Sequence, residues 1–420
     1  MKFVSKCAAP AAILLLAFGW TFAGGKALEF SSDSEKAVEL VDEITHGIES
    51  FQAGPALAAK AQELIDADPE WAFGYMVASQ FQPNPQAQEM LAKADELAAN
   101  LNEGEKLYLE GVKHIRAGTL PEALEVFQKM ARGWPEERRA HMLVGQLSMG
   151  SDAESACRSF DRAFKLDNST PRIYFFRGNC QLLDSKYGKA RKTYRKGLAK
   201  ADNFPFGLHF GTILTHVHEG HVDKALSAVD QALAGYIEAG NAQAFPTVFI
   251  HNLRARINLE NGRLEEAMTD YEKGLKSLEG SGLPEQQIQI WTGRYHHGKG
   301  RTLAKMGKDD AAWAEVEWMR KALDEGGSQA VNFEAAYHYL AGYVKLEAGE
   351  IDAAIEHLEQ ASPTDAFHQL LLARAYHKDG QEEKARETYE KVAAMTTVNL
   401  ERALSYEEAV RMANNLETVD

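Results

Sequence analysis

One pattern constrains this chain more than any other. A small residue, a bulky residue four positions later and a small or apolar residue three after that recur along most of its 420 residues. The first clear triplet is Ala123, Phe127 and Met130, and the next is Ala156, Phe160 and Ala163. Six more follow, led by Ala190, Ala225, Ala267, Ala312, Ala354 and Ala385, with Tyr194, Val229, Tyr271, Val316, Leu358 and Tyr389 as their bulky members. Gly118, Gly220, Gly262, Gly307, Gly349 and Gly380 each stand five residues ahead of a triplet. Further upstream another small residue recurs, as Gly111, Gly145, Gly178, Ala255, Gly300, Gly342 and Ala373. Positions three and four apart share one helical face. Each unit therefore reads as a helix, a glycine turn and a second helix, with small residues where helices approach closely. One such hairpin cannot bury its apolar face alone, whereas a stack of them buries a continuous one.

This pattern resembles the tetratricopeptide repeat family, from about Val38 to Thr397. The resemblance implies an all-α fold, a right-handed α-solenoid of stacked antiparallel helix pairs whose first helices line a concave binding surface. Eight clear repeats occupy 104–397. Two degenerate ones precede them in 38–103, where Leu57, Ala61 and Leu64, then Ala87, Leu91 and Ala94, keep the spacing. Between about 206 and 334 the period lengthens beyond the family's ~34 residues. Helices longer by one or two turns, ended by Gly240 or Gly282, are expected there, which makes this stretch the candidate for specificity. Residues 398–420 read as a polar capping helix, with Tyr406, Val410 and Met412 on the last pair and Glu407, Glu408 and Arg411 in water.

The N-terminus carries its own signal. Lys2 and Lys6 precede an apolar run from Cys7 to Phe22, and Thr21-Phe22-Ala23 offers small residues at the positions a signal peptidase reads. Residues 1–23 are expected to be a signal peptide cut after Ala23, with 24–37 a linker and the mature chain periplasmic or secreted. An uncleaved anchor is the alternative. Removing Lys2 and Lys6 takes the net charge from −15 to −17. That acidity argues against nucleic acid and anionic membrane surfaces as partners. Only Cys157 and Cys180 remain, on helices that touch. A bridge between them and a pair of buried free thiols both stay open.

Transferring the family's inner-face positions gives the candidate partner-binding residues: Arg172, Phe175, Asn179, Asn252, Arg256, Arg294, His297, Arg301, Tyr339, Tyr343 and Arg374. Tyr108, Phe210, Phe249 and Phe367 occupy equivalent places. Few acidic groups fall on these positions although the chain is acidic. Aromatics between Arg and Asn suit an extended peptide, since Asn bonds peptide backbone and Arg grips carboxylates. Arg256, Arg294 and Arg301 form the leading cluster. The Lys/Asn/Asn/Lys/Arg set with which some relatives hold a C-terminal carboxylate has no match here: Phe175 stands where its first Lys belongs, although Asn179 fits the following Asn.

No phosphate loop, G-x-S-x-G elbow or H-E-x-x-H occurs. His216 and His218 are two apart and point oppositely on a helix, so with His221 they read as surface histidines. No metal, no cofactor and no catalytic residue is expected. The reading is a non-enzymatic, exported scaffold that binds a protein or peptide in its groove. The alternatives are an envelope enzyme subunit built on the same array and a membrane-anchored tether.

Overall fold

A computed structural model describes residues 27–52, 54–240, 243–326 and 333–417. The expected signal peptide and its cleavage point lie outside them. The described residues form 21 α-helices and no strand. The chain divides into two compact units, one up to Gly211 and one from Thr212.

In the first unit the helices pair as α1 (Glu35–Glu49) with α2 (Gly54–Ala67), α3 (Ala72–Ser79) with α4 (Asn84–Leu97), and α5 (Glu103–Ala117) with α6 (Leu120–Gly133). They continue as α7 (Arg138–Ser148) with α8 (Ala153–Leu166) and α9 (Pro171–Leu183) with α10 (Tyr187–Leu198). The division falls within α11 (Phe206–His218). The second unit continues with α12 (Val222–Glu238), then α13 (Ala244–Glu260) with α14 (Leu264–Lys276), and α15 (Glu285–Lys305) with α16 (Asp309–Gly326). Its remaining helices are α17 (Glu334–Glu347) with α18 (Ile351–Leu358), α19 (Ala366–Lys378) with α20 (Glu382–Ala394), and a final α21 (Leu400–Glu417).

The triplets are the core. All three members of all eight triplets are buried, every one of them on a second helix except Ala361, which follows α18. The upstream glycines explain why the pairs approach so closely. A Cβ added to Gly111 would lie 2.4 Å from the Phe127 ring, at Gly145 2.6 Å from Phe160, at Gly178 2.2 Å from Tyr194 and at Gly342 2.6 Å from Leu358. In these four pairs the glycine of the first helix is thus the seat for the large residue of its partner, whereas Gly300 faces Glu315 and Leu340. Leu57, Ala61, Leu64, Ala87, Leu91 and Ala94 are buried too.

The lengthened period goes mostly into helix. α12 and α13 have 17 residues, α15 has 21 and α16 has 18, against 14 in α6 and α8. Gly240 follows the end of α12 with a left-handed backbone.

Two expectations need correction. Residues 27–34 are a packed strap, not a loose linker. Leu28 is buried, its N–H donates to Glu137 (3.2 Å), and the Ser31 N–H donates to Glu105 Oε1 (3.0 Å). Phe30 packs on Trp71 and Phe73, with the Arg139 guanidinium 4.7 Å from its ring centre. The final helix is also more than a polar cap. Arg402, Ala403, Ser405, Ala409 and Ala413 are buried, and Glu408 is half-buried, although Glu407 and Arg411 are exposed as expected. Its buried stripe packs on both α19 and α20.

Candidate interaction surfaces

In the first unit, the end of α1 meets the starts of α7 and α9. Arg138 Nη1 donates to both Glu49 carboxylate oxygens (2.9 and 2.8 Å), and Thr170 Oγ1 donates to Glu49 Oε2 (2.8 Å). All three residues are buried. Arg172, a groove candidate, donates to Ile48 O (3.4 Å) and lies over the Phe51 and Phe176 rings. Burial lowers its pKa to about 10, against the opposing Glu49. Asn179 is buried and accepts the Tyr194 hydroxyl (2.8 Å), so it does not face a guest. Phe175 is half-buried against Phe176 and Gly207. Tyr108 lies in the core between Phe73 and Phe127, while Phe210 stacks on Phe206. Cys157 and Cys180 form a disulfide, which resolves the open alternative in favour of the bridge.

In the second unit, the expected arginine cluster separates. Arg256 and Arg301 are buried and converge on one phenol: Arg256 Nη2 and Arg301 Nη1 donate to Tyr339 Oη at 2.9 and 3.0 Å. Arg256 also pairs with Glu260 (2.5 Å) and lies 4.1 Å over the Phe367 ring. Burial alone would lower its pKa, but Tyr339 and Glu260 hold it well above the usual value. Arg301 reaches Tyr271 Oη (3.3 Å) and the His297 carbonyl (3.2 Å). Tyr343 is buried beside Tyr339. His297 and His368 stack on Tyr339, and burial first, then nearby cationic groups, lowers each to about 3, so both are neutral at neutral pH. Asn252 donates to Val248 O within its own helix (2.9 Å). Arg256, Arg301, His297, Tyr339 and Tyr343 are thus buried within their unit, while Asn252 is half-buried.

The chain's own last helix completes this closure. Arg374 grips Glu408 of α21 through two parallel bonds, Nε to Oε1 at 2.7 Å and Nη2 to Oε2 at 2.5 Å. Burial and then Asp365 raise the Glu401 carboxyl, against the pull of Arg256 and Arg294. The Tyr406 ring lies 5.9 Å from that of His218, which is buried, contrary to its reading as a surface histidine. The acidic groups missing from the predicted inner face are therefore supplied by Glu260 and by α21.

Arg294 differs from its two neighbours. It is exposed and lies 4.9 Å from the Trp291 ring centre. Trp291 packs with Phe245 and Phe249, and Phe245 is 51% exposed. Tyr236 donates its hydroxyl to Phe245 O (3.0 Å), which brings the end of α12 and the 52%-exposed Ile237 alongside. This aromatic edge is built by the non-helical start of α13 at Phe245 and the second turn of α15 at Trp291, which is itself buried. Phe245 and Trp291 were not among the expected site residues. Their signal was an aromatic near the N-terminal end of α13 and of α15.

Other rings of this unit are half-buried in contacts of their own. Trp318 stacks under His296 (3.6 Å), and Lys345 lies 4.5 Å over Trp313. His296 donates its Nδ1–H to Glu315 Oε2 (2.6 Å), about 100° around the helix from His297. Among the described residues, no helix is long and apolar enough to cross a membrane.

Models of the tetratricopeptide repeat match residues 250–277 and 345–404. No curated protein matches the chain. Similar solved structures include a tetratricopeptide repeat protein of Parabacteroides merdae (15% identity, 74% of this chain and 99% of that one, TM-score 0.38). Others are yeast Tom70 (10%, 91% and 88%, 0.44) and PilW, a type IV pilus biogenesis factor (15%, 55% and 98%, 0.42). Likenesses this distant carry no information about partners. The matched stretches fall on α13–α14 and on the segment from the end of α17 to the start of α21, where the small–bulky–small register is buried as in the rest of the array, and these stretches are tetratricopeptide repeats.

Proposed function

We propose that this protein is an exported, non-catalytic scaffold that captures an extended peptide segment of a partner protein on the aromatic edge of its lengthened repeats. Tetratricopeptide arrays are protein-interaction scaffolds in general. The observation that carries the finer reading is Arg294, exposed over Trp291 and beside the half-exposed Phe245. An exposed phenyl ring packed on a buried indole, with an exposed guanidinium over that indole, suits a segment that carries an apolar side chain next to a carboxylate. The buried Arg256 and Arg301 already spend their donors on Tyr339, Glu260 and Tyr271, which favours the edge over the inner face. The Cys157–Cys180 bridge supports export, because disulfides persist in oxidising compartments. The acidity of the chain argues against nucleic acid as the partner.

Two experiments test this reading. Mass spectrometry of the mature protein should find Gly24 at its N-terminus, and a retained Met1 would remove export with cleavage. Arg294→Glu combined with Phe245→Ala should abolish capture of the partner from an envelope extract while leaving the melting temperature unchanged. Undiminished capture would remove the edge as the site.

A further inference from the structure

The glycine turns between paired helices share one hydrogen-bond pattern. The turn glycine is left-handed, and the N–H after it reaches back five residues to a carbonyl of the first helix: Thr119 to His114, Arg263 to Asn258, Lys308 to Leu303, Glu350 to Lys345 and Gln381 to Tyr376. This closing motif sets the two bonded residues' side chains beside each other, where an apolar contact is common. The chain places a different polar pair at several of these turns, such as the His114–Thr119 hydrogen bond (2.8 Å) and the Lys345–Glu350 ion pair (2.7 Å).

At the end of α11 the same motif joins two imidazoles. Gly220 has φ +66°, and the His221 N–H donates to the His216 carbonyl (2.9 Å). The Glu219 carboxylate sits between the rings: its Oε2 is 3.1 Å from His221 Nδ1 and 3.8 Å from His216 Nδ1. All three donor atoms lie within 4.8 Å of one another. Ligands at zinc's usual ~2.0–2.2 Å in tetrahedral array are roughly 3.3–3.6 Å apart, so two of the separations already bracket that spacing. The side chains are 16%, 22% and 47% exposed for His216, Glu219 and His221, so an ion can enter and His221 can turn to close the remainder. The divergence of residues two apart holds for His216 and His218, since His218 is buried towards Tyr406. It does not reach His221, which the glycine turn carries back over His216.

We propose that His216, Glu219 and His221 form a binding site for a divalent transition-metal ion such as Zn2+, two imidazoles and one carboxylate with the remaining positions left to water. Such a donor set suits zinc and its first-row neighbours over calcium or magnesium. The bound ion joins the last turn of α11 to the start of α12.

The test uses the full mature chain without a histidine tag, stripped with a chelator and titrated with Zn2+ against a chromophoric competitor. Co2+ absorption serves as an independent readout. The expected result is one tight equivalent. His216→Ala should weaken it at least about tenfold, the scale at which even outer-shell partners matter. The exposed His221→Gln, which does not threaten folding, should do the same and change the Co2+ spectrum. His114→Ala, at the same place in another turn, and His357→Ala, beside His338, should leave it unchanged. Absence of a tight equivalent, or an affinity unmoved by His221→Gln, would overturn the proposal.

Discussion

The two units use one packing rule for their hairpins and two different ways of filling their inner faces. In the first, a fully buried Glu49–Arg138 pair with Thr170 joins α1 to α7 and α9, and the strap at 27–34 lays Phe30 under Arg139. In the second, two guanidiniums share the Tyr339 phenol, neutral imidazoles stack on it, and α21 adds a half-exposed Arg374–Glu408 pair. The seat of a bulky residue on a glycine is the same in both, Phe127 on Gly111 and Leu358 on Gly342 alike. The repeat code therefore dictates how pairs stack and leaves the composition of the inner face to each unit.

This difference should be most visible in acid. Burial lowers His218, His297 and His368 to about 3 each. A depressed imidazole contributes stability that is complete above its unfolded value of 6.5 and is lost as pH falls towards the folded value, because the unfolded chain binds the extra proton. Each of the three imidazoles should cost the second unit on the order of 5 kcal/mol at most between pH 6.5 and 3. Hydrogen exchange followed peptide by peptide against pH should show it opening before the first, and the reverse order would break the comparison.

Glu49→Ala should act on the first unit by about 3–5 kcal/mol, since it strands Arg138 without its buried partner. Denaturant unfolding read by unit should show the second unit unmoved. Gly178→Ala inserts a methyl into the Tyr194 ring and should cost about 1–3 kcal/mol. The shared packing rule makes Gly342→Ala equivalent in the other unit, and a harmless outcome at either position would separate their stacking. Glu408→Gln should be the smallest change, about 1 kcal/mol or less, because its pair with Arg374 is part-exposed. Burial would raise the Glu408 carboxyl, but the Arg374 bonds hold it below 4.5. Its contribution is therefore present above pH 4.5 and disappears as pH falls through the folded value. The variant should lack that acid-dependent part of the melting curve.

The stacking was legible because its signal is local. A small residue, a bulky one four later and a glycine five ahead of the triplet all lie within a dozen positions, and each landed where the helical face required. The inner faces were not legible, because their partners lie far apart in sequence: 34 residues for Arg374 and Glu408, 83 for Arg256 and Tyr339, 89 for Arg138 and Glu49. Nothing in the spacing around Arg256 distinguishes a buried guanidinium from the exposed one at Arg294. The lengthened period marked the stretch of chain that carries Phe245, Trp291 and Arg294. Which of its residues face water was decided by packing: Phe245, at the non-helical start of α13, is exposed, whereas Trp291, in the second turn of α15, is buried beside it.

The most direct measurement places a photo-crosslinking amino acid at position 245 and, separately, at position 343, in proteins that melt like the parent. With inner faces filled by the chain itself and recognition on the aromatic edge, illumination in an envelope extract should join the partner to position 245 and not to 343. A partner joined at 343 would show that a guest enters the second unit's interior, and would contradict the account.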